Sequence, residues 1–246
     1  MNNRVLVFAA GRGARMRPLT DHTPKPLLIV AGKPLIVWQI EALARAGFTE
    51  LVVNTAWHGA QVQAVLGNGE TWNVQIRFSH EGDDEADALE TRGGIRYALE
   101  LLGPAPFVTV SSDIYTDYDY RLLRDPLAAL ARGESDAHFV LADNPPFHPD
   151  GDFAIRDGRA TRQGTPTHPR LNYGNIACWR AELFADLPLR EKSRLFPWAD
   201  TFVAAGRVTA EHHHGVWENL GTPDELAALN ATLTDRATDL TTNITT

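Results

Sequence analysis

The chain has 246 residues, of which 43% are hydrophobic and 22% are charged, a composition typical of a soluble globular protein with a sizeable core. Its 23 Lys and Arg against 31 Asp and Glu give a formal net charge of -8. This balance argues against a sequence-independent binder of nucleic acid or of anionic membranes, because both need a broad basic surface. The single cysteine, Cys178, excludes an internal disulfide and favours a reducing compartment, so we expect a cytoplasmic protein.

The positive charge is concentrated at the start of the chain. Residues 1–33 contain six basic side chains and one acidic side chain, so this segment carries +5 and the remaining 213 residues carry -13. A basic segment on an acidic protein suits the binding of a small polyanion. A solvated basic face explains the charge alone equally well.

Strands alternate with helical patterns through the first half of the chain. Apolar runs predict buried strands at 5–8, 51–53 and 107–110, and the alternation of apolar and polar residues at 74–78 fits a further strand. Apolar residues at helical spacing predict helices at 34–46, 61–66 and 95–102. Repeated units of this kind predict an α/β fold with a doubly wound, mostly parallel Rossmann-like sheet flanked by helices. Ligands of such sheets bind at the carboxyl ends of the strands.

The second half has shorter strands and more turns. We predict strands at 137–142, 153–156, 172–179 and 208–219, and a helix near 196–205. Asp157 and Gly158 supply the left-handed conformations that a tight hairpin turn needs. The segment 222–225, Thr-Pro-Asp-Glu, matches a capping box with proline in the first turn, so a final helix begins there.

The most informative stretch follows the first strand. Glycines and small residues after a buried strand let backbone N–H groups approach a phosphate chain, and Arg15 and Lys25 add charge-assisted contacts. Two familiar phosphate loops are excluded. The dinucleotide pattern requires a third glycine where Met16 stands, and the pattern G-x-x-x-x-G-K-[ST] does not occur here.

Taken whole, Ala-Ala-Gly-x-Gly-x-Arg-Met-x-Pro-Leu-Thr at 9–20, followed by Pro-Lys-Pro-Leu at 24–27, resembles the opening of the sugar-1-phosphate nucleotidyltransferases. The resemblance continues in order through 32–36, 46–47, 90–95, 112–113 and 217–222, and so covers nearly the whole chain. It implies the nucleotide-diphospho-sugar transferase fold. Because the sequence has no internal repeat and no linker that would divide it, we expect one domain over 1–233, with a nucleotide-binding part at about 1–135 and a smaller β-rich sugar-binding part at about 136–233. We expect the tail at 234–246 to fray.

The resemblance implies a reaction and a set of roles. An oxygen of the sugar-1-phosphate attacks the α-phosphorus of a nucleoside triphosphate in line and expels pyrophosphate, without a covalent enzyme intermediate. Arg15 stabilises the leaving pyrophosphate, Lys25 bridges charge near the α-phosphate, and Asp113 binds Mg2+. The implied nucleotide-binding residues are Ala9, Ala10, Gly11, Arg12, Gly13, Ala14, Arg15, Lys25, Glu81, Gly93 and Gly94. The implied sugar-phosphate-binding residues are Ser111, Gly151, Asp152, Asn172 and Asn175, and the implied metal ligands are Asp113 and Asn219.

The chain departs from the family pattern at three positions. Asn219 stands where relatives carry a second metal aspartate, so either the ion is held more weakly or a neighbour such as Glu218 compensates. Arg92 stands where relatives often carry glycine, beside the Gly93-Gly94 pair expected against the base, which leaves base selectivity open. Ser111 replaces a residue that is often Asn beside the sugar.

Within the family, short motifs resemble the branch that transfers uridylyl from UTP to N-acetylmuramic acid 1-phosphate in peptidoglycan recycling. These motifs are Leu-Glu-Thr at 89–91, Thr-Asp-Tyr-Asp at 116–119 and Gly-Asp-Phe at 151–153. Two alternatives stay open at this point. In the first, the acceptor is mannose-, glucose- or heptose-1-phosphate and the nucleotide is GTP, dTTP or CTP. In the second, the protein is a non-catalytic regulator that binds a nucleotide sugar, and Asn219 is the only feature of the sequence that favours it. The expected partners are a nucleoside triphosphate and a sugar-1-phosphate, with no nucleic acid and no membrane, and the expected state is a monomer or small homo-oligomer.

Three consecutive histidines, at 212–214, have the composition of a metal site. Consecutive residues of a strand point to opposite faces, so all three cannot converge on one ion. We therefore interpret them as part of a partly exposed strand.

Overall fold

The computed structural model describes the backbone of residues 4–242 and the side chains of residues 4–234. Its strands are β1 (Arg4–Phe8), β2 (Ile29–Val30), β3 (Lys33–Pro34), β4 (Glu50–Thr55), β5 (Gln75–His80), β6 (Phe107–Ser111), β7 (Ile114–Thr116), β8 (Ala137–Ala142), β9 (Ala154–Arg156), β10 (Arg159–Thr161), β11 (Asn172–Trp179), β12 (Val208–His213) and β13 (Trp217–Asn219). Its α-helices are α1 (Leu35–Arg45), α2 (Gly59–Leu66), α3 (Glu90–Leu102), α4 (Arg124–Ala131), α5 (Asp200–Ala204) and α6 (Pro223–Thr242).

A nine-stranded sheet with the order β5-β4-β1-β6-β11-β8-β12-β10-β9 forms the centre of the fold. The pairs β5–β4, β4–β1, β1–β6 and β8–β12 are parallel, and β11 lies antiparallel between β6 and β8. The pairs β12–β10 and β10–β9 are also antiparallel. The predicted α/β fold with helices flanking one sheet is therefore confirmed, but the sheet is mixed: β5, β4, β1 and β6 are parallel to one another, and β11 is reversed at the centre. β11 is reversed because the chain returns from β8 through the β9–β10 hairpin, without the helical crossover that a parallel connection needs.

Helices cover both faces of this sheet. On β1, Val5 and Val7 point into one apolar cluster and Leu6 points into the other, and all three are fully buried. Burial of both faces explains why the strand at 5–8 is a continuous apolar run. Strands that precede residue 135 in the sequence and strands that follow it lie in the same sheet. The division of the domain into two parts near residue 135 stays a prediction.

The predicted strand at 208–219 is wrong as a single element. β12 ends at His213 in the main sheet, and β13 pairs with β7 in a separate two-stranded ribbon. The chain turns at Gly215, where a Cβ atom would lie 2.2 Å from the Asp117 carboxylate, and the Val216 N–H donates to that carboxylate. The predicted helix near 196–205 is shorter than expected, because only α5 is α-helical there.

The final helix begins where the capping box predicts. The Glu225 N–H donates to the Thr222 hydroxyl, and the Glu225 carboxylate accepts from the N–H groups of Gly221 and Thr222. The tail predicted to fray, at 234–246, lies largely outside the residues whose side chains are described and stays a prediction. None of the helices within the described residues is long and apolar enough to cross a membrane.

Candidate active site

A cavity of about 420 Å³ opens at the sheet edge where β1, β4, β5 and β6 end. Phe8, the last residue of β1, is in register with Asn54 of β4 and Ser111 of β6, so polar residues that follow different strands meet there. The lining is Phe8, Ala9, Ala10, Gly11, Arg12, Lys25, Pro26, Asn54, Glu81, Glu85, Ala88, Glu90, Thr91, Ser111, Ser112, Asp113, Tyr173, Asn175 and Lys192. The position is the one expected for a ligand of a parallel sheet.

The loop after β1 forms one wall of this cavity. The Ala9 N–H donates to Asn54 Oδ1 at 2.8 Å and fixes the start of the loop. Within the described part of the chain, the N–H groups of Ala10, Gly11 and Arg12 make no hydrogen bond. A Cβ atom built on Gly11 meets nothing within 4 Å. The loop therefore presents unpaired donors to open space, which is the arrangement that a phosphate chain requires.

Lys25 and Asp113 form an ion pair inside the cavity, with Lys25 Nζ 2.5 Å from Asp113 Oδ2. Lys25 begins a short 3-10 turn, Lys25–Leu27, and is only 8% exposed. Asp113 comes two residues after the end of β6. Gly13 has a φ of 65°, and a Cβ there would lie 3.0 Å from the Lys25 Cβ, so this glycine makes room for the lysine stem.

Asn219 lies beside Asp113 because β13 pairs with β7. Asn219 is opposite Ile114 in this ribbon, and the next N–H, of Leu220, donates to the Asp113 carbonyl at 3.0 Å. Asn219 Oδ1 is buried and has no hydrogen-bond partner, which is rare for an amide oxygen unless a ligand is missing. Glu218 precedes it in the strand, so its side chain projects from the opposite face and is badly placed to supply the missing charge.

These residues fit a divalent cation. The Asp113 carboxylate and the orphaned Asn219 oxygen are both hard oxygen donors, and Mg2+ is commonly bound by one or two carboxylates together with water and substrate phosphates. Among the described residues, no three His, Cys, Asp or Glu side chains gather as a complete metal site. The described residues would therefore supply only part of the coordination shell of such a cation.

Glu81 and Asn54 form a buried link beneath the cavity. One Glu81 carboxylate oxygen accepts from Asn54 Nδ2 at 2.6 Å and the other accepts from the Leu89 N–H at 2.8 Å. Burial raises the pKa of Glu81, and the hydrogen bonds from Leu89 and Asn54 oppose this increase. Because Asn54 also holds Ala9, this link joins the loop after β1 to the start of α3.

Gly93 and Gly94, expected to lie against the base, do not line the cavity and instead permit close packing. A Cβ on Gly93 would lie 2.5 Å from the Glu191 carbonyl, and one on Gly94 would lie 2.7 Å from Glu81 Oε1. Arg92 also faces away from the cavity. Its guanidinium contacts Asp186 at 2.9 Å and stacks 4.3 Å from the Trp198 ring centre, so nothing in its placement bears on base selectivity.

The two predicted nucleotide-binding arginines, Arg12 and Arg15, lie in different environments. Arg12 lines the cavity, where its guanidinium contacts Asp21 at 3.1 Å and stacks 4.2 Å from the Trp57 ring centre. Arg15 does not line the cavity, and its guanidinium lies near Gly221, 3.2 Å from where a Cβ would be. Ala14 likewise lies outside the cavity wall, in the same 3-10 turn as Arg15.

A second cavity of about 390 Å³ adjoins the first and shares Glu90, Thr91, Tyr173 and Asn175 with it. The other lining residues are Asp152, Asn172, Arg194, Leu195 and Phe196. Three of the predicted sugar-phosphate residues therefore meet here, and Ser111 lies in the first cavity. Gly151 is outside both cavities, and its φ of 60° together with contacts to Arg170 and Asn144 gives it a role in the turn.

Several lining residues were not identified from the sequence. Asn54 had an available signal, because a polar residue at the carboxyl end of a parallel strand is a candidate ligand contact. Tyr173 belongs to the predicted strand at 172–179, and Lys192 and Arg194 belong to an irregular segment after residue 185. No local pattern marks these three, because long-range packing alone brings them to the cavities.

The histidine run does not converge on one point. His212 contacts Asp143 at 2.8 Å, and His213 contacts Asp117 at 2.9 Å. These separate partners agree with the interpretation that the run is an ordinary strand.

Comparison with known proteins gives the family. The nucleotidyl transferase family model matches residues 4–236. The chain is 42% identical over 219 residues to an N-acetylmuramate alpha-1-phosphate uridylyltransferase of Neisseria meningitidis, covering 89% of this chain and 93% of that protein. It is 34% identical over 235 residues to a protein of the same name from Caulobacter vibrioides, covering 94% of this chain and 96% of that one.

Solved structures share the fold. A putative glucose-1-phosphate thymidylyltransferase from Bacillus anthracis superposes with a TM-score of 0.76 at 19% identity, covering 93% of this chain and 94% of that one. The fold similarity agrees with the nine-stranded sheet and its flanking helices. With the family match over almost all of its length, the chain belongs to the nucleotidyl transferase family of enzymes.

Proposed function

We propose that this enzyme transfers a uridylyl group from UTP to N-acetylmuramic acid 1-phosphate, giving UDP-N-acetylmuramic acid and pyrophosphate. The observation that carries the substrate assignment is the match to two proteins of that name over 93% and 96% of their own lengths. A match over half of the chain would support the nucleotide part alone, whereas these two cover 89% and 94% of this chain. We further infer a cytoplasmic enzyme from the single, buried cysteine.

The two adjoining cavities support a transfer between two bound substrates. In this assignment the triphosphate lies in the first cavity, along the loop after β1, and the acceptor sugar lies in the second. The shared wall brings the acceptor phosphate to the α-phosphorus near Asp113. Holding both reactants in line supplies much of the rate enhancement, because it replaces a bimolecular encounter with a positioned one.

The charged residues of the site suit this reaction. In this assignment Lys25 neutralises the charge that builds up on the α-phosphate, and Asp113, 2.5 Å from the Lys25 ammonium, orients the lysine. The family generally uses a divalent metal, and we assign Mg2+ to Asp113 and Asn219. When bound there, the cation polarises the phosphate oxygens and reduces the repulsion between the two polyanions.

A substrate panel tests the assignment. Pyrophosphate release is measured with Mg2+ for UTP, dTTP, GTP and CTP, each against N-acetylmuramic acid 1-phosphate and the 1-phosphates of N-acetylglucosamine, glucose, mannose and heptose. We expect the highest kcat/KM for UTP with N-acetylmuramic acid 1-phosphate. The Asp113→Ala variant serves as the catalytic blank for every pair.

The panel also separates the alternatives. Release with mannose-, glucose- or heptose-1-phosphate but none with N-acetylmuramic acid 1-phosphate would contradict the acceptor assignment and retain the nucleotidyl transfer. Absence of release with every pair, together with binding of UDP-N-acetylmuramic acid, would instead indicate a nucleotide-sugar-binding regulator.

A further inference from the structure

The wall between the two cavities contains a residue in an unusual conformation. Glu90, the first residue of α3, has a φ of 62°, which is the left-handed region that favours glycine. Glutamate has no local means of stabilising this conformation. Strained backbone conformations cluster at ligand sites, so the contacts of the Glu90 side chain are of interest.

The Glu90 side chain faces Arg194 across this wall. Arg194 Nε lies 3.7 Å from Glu90 Oε1, and Arg194 contributes the positive charge to the lining of the second cavity. Its two terminal Nη groups make no hydrogen bond to any residue in the described part of the chain. The paired donors at the end of the guanidinium are therefore available to a ligand.

The backbone that carries Arg194 is fixed against α3. The Ser193 N–H donates to the Leu89 carbonyl at 3.0 Å, and the Ser193 carbonyl accepts from the N–H groups of Arg92 and Gly93 at 2.9 and 3.1 Å. The next residue, Leu195, is buried. Arg194 is thus an exposed side chain on an anchored segment, placed between a strained glutamate and an acceptor cavity.

The other charged groups around the second cavity are already paired. The Asp152 carboxylate contacts His148 at 3.2 Å and Arg162 at 3.8 Å, and it accepts from the Tyr173 N–H at 2.8 Å. Arg162 in turn contacts Asp200 at 2.8 Å. Among the described residues that line the second cavity, Arg194 therefore provides the positive charge that can bind an anionic group of the acceptor.

We propose that Arg194, oriented by Glu90, binds the lactyl carboxylate of the acceptor and makes the site selective for a sugar phosphate that carries such a carboxylate. This inference rests on the proposed function. The acceptor has two anionic groups on different ring carbons. Its phosphate must reach Asp113 in the first cavity, so the carboxylate extends into the second. Because Glu90 lies on the Nε side of the guanidinium, at 3.7 Å, the two terminal Nη groups are left to form two parallel hydrogen bonds to one carboxylate.

The test compares two acceptors that differ in this one charge. The acceptors are N-acetylmuramic acid 1-phosphate and its lactyl amide, and kcat/KM is measured by pyrophosphate release. We expect the native enzyme to prefer the acid by about tenfold to a hundredfold, the range for a charge-assisted hydrogen-bond pair. Arg194→Gln removes this preference by lowering kcat/KM for the acid alone. Arg194→Lys, which keeps the charge but not the paired donors, retains part of it.

Two further variants separate recognition from folding. Arg132→Gln removes an exposed arginine paired with Glu134 before β8, at the opposite sheet edge, and leaves the preference unchanged. Glu90→Gly relieves the left-handed strain, so we expect an equal or higher melting temperature together with a reduced preference for the acid. A purely structural Glu90 would leave the ratio of the two kcat/KM values unchanged.

The outcomes distinguish this inference from the function on which it rests. If the native enzyme turns over N-acetylmuramic acid 1-phosphate but does not prefer it to the amide, Arg194 is not the carboxylate site. Equal losses for both acceptors in Arg194→Gln would overturn the inference in the same way. Failure of the native enzyme to use N-acetylmuramic acid 1-phosphate at all would overturn the proposed function, and this inference with it.

Discussion

At the scale of single residues, the proposed chemistry centres on Asp113, Lys25 and Asn219. The lysine ammonium lies 2.5 Å from one oxygen of the carboxylate, and the Asn219 oxygen, on the strand whose backbone contacts Asp113, is buried without a partner. An enzyme that brings two polyanions together needs positive charge at the point where they meet. We therefore expect the carboxylate to act by holding cations, and substitutions at these positions to affect turnover.

Asp113→Ala tests this role. Because the variant loses the carboxylate that orients Lys25 and binds the cation, we expect kcat to fall by about a hundredfold or more, the usual effect of removing one electrostatic contributor. The melting temperature should also fall, because the Lys25 ammonium, which is only 8% exposed, loses its partner, so both proteins are assayed at a temperature at which they are folded. The measurement is pyrophosphate release with Mg2+, and Asp119→Asn, an exposed carboxylate paired with Arg121, is the control. Retention of more than about a tenth of native activity would remove Asp113 from the metal site.

Asn219→Asp tests the second ligand position. A carboxylate in place of the orphaned amide oxygen strengthens binding of a divalent cation, so we expect the half-saturating Mg2+ concentration to fall by about tenfold. Without metal, the same buried charge is unpaired and lowers the melting temperature, which added Mg2+ restores. Glu218→Gln, on the opposite face of β13, is the matched control and leaves the Mg2+ titration unchanged. An identical titration for native enzyme and Asn219→Asp would exclude Asn219 as a ligand.

At the scale of elements, the start of α3 is packed unusually closely against its neighbours. The helix approaches the Glu81 carboxylate on one side and the segment around Glu191 on the other, and glycine is the residue that permits both approaches. The resemblance to the family places the paired glycines against the base, which stays a prediction. The structure shows that both glycines permit close packing, a role that a sequence motif does not distinguish from ligand contact.

Gly94→Ala and Gly11→Ala form a matched pair that separates these two roles. A Cβ on Gly94 would lie 2.7 Å from Glu81 Oε1, so we expect a loss of about 1–3 kcal/mol in the free energy of unfolding. A Cβ on Gly11 meets nothing within 4 Å, so the fold should keep its stability. Because that Cβ enters the cavity beside the phosphate loop, we expect kcat/KM for the triphosphate to fall. Urea denaturation and steady-state kinetics on both variants are the measurements.

The reverse pattern would contradict the assignment of these glycines. If Gly94→Ala remained as stable as the native protein while Gly11→Ala unfolded easily, the packing role would belong to the loop after β1. Unchanged nucleotide kinetics in Gly11→Ala would show that the triphosphate does not approach this part of the backbone.

At the scale of the whole molecule, a cluster of charged side chains connects neighbouring strands at the end of the sheet opposite the site. The Asp136 carboxylate accepts from Arg180, which follows β11, and from Arg207, which precedes β12, at 3.0 and 2.9 Å. The hydrogen bonds from Arg207 lower the pKa of Asp136 below its ordinary value, and those from Arg180 act in the same direction. The cluster therefore connects three strands of the second half at the end far from the cavities.

Asp136→Asn tests the contribution of this cluster to stability. At neutral pH we expect the free energy of unfolding to fall by about 1.5–3 kcal/mol, the usual range for hydrogen bonds to a charged group. The folded protein binds the Asp136 proton less readily than the unfolded chain, so the native advantage is complete above the ordinary aspartate pKa of about 3.9 and disappears as the pH falls through the lowered value. Urea denaturation between about pH 7 and pH 3 measures the difference.

A matched carboxylate on the same half of the chain provides the control. Asp157 lies in the turn between β9 and β10 with a φ of 50°, a conformation that asparagine tolerates well, so Asp157→Asn leaves the stability almost unchanged at every pH. A stability difference for Asp136→Asn that was the same at both ends of the pH range would show that the Asp136 charge is not responsible.

The sequence by itself determined the parts of this protein that depend on local pattern. Apolar runs fixed three of the strands of the first half, because a strand buried on both faces must be apolar throughout, and Thr222 with Glu225 set the start of the last helix. The glycines and the charge of the loop after β1 predict a phosphate site, and the structure shows that the loop lines the first cavity. The placement of Lys25 beside Asp113, 88 positions apart, agrees with the roles implied by the family resemblance.

Only the tertiary structure decided what depends on contacts between distant segments. The chain breaks at Gly215 because the Asp117 carboxylate occupies the space a side chain would need, and no pattern within 208–219 reveals this. Arg92 turns away from the cavity to meet Asp186 and Trp198, and the segment carrying Arg194 reaches the acceptor cavity by hydrogen bonds to α3. Periodicity records which face of an element is buried, but it does not record which residues lie against that face.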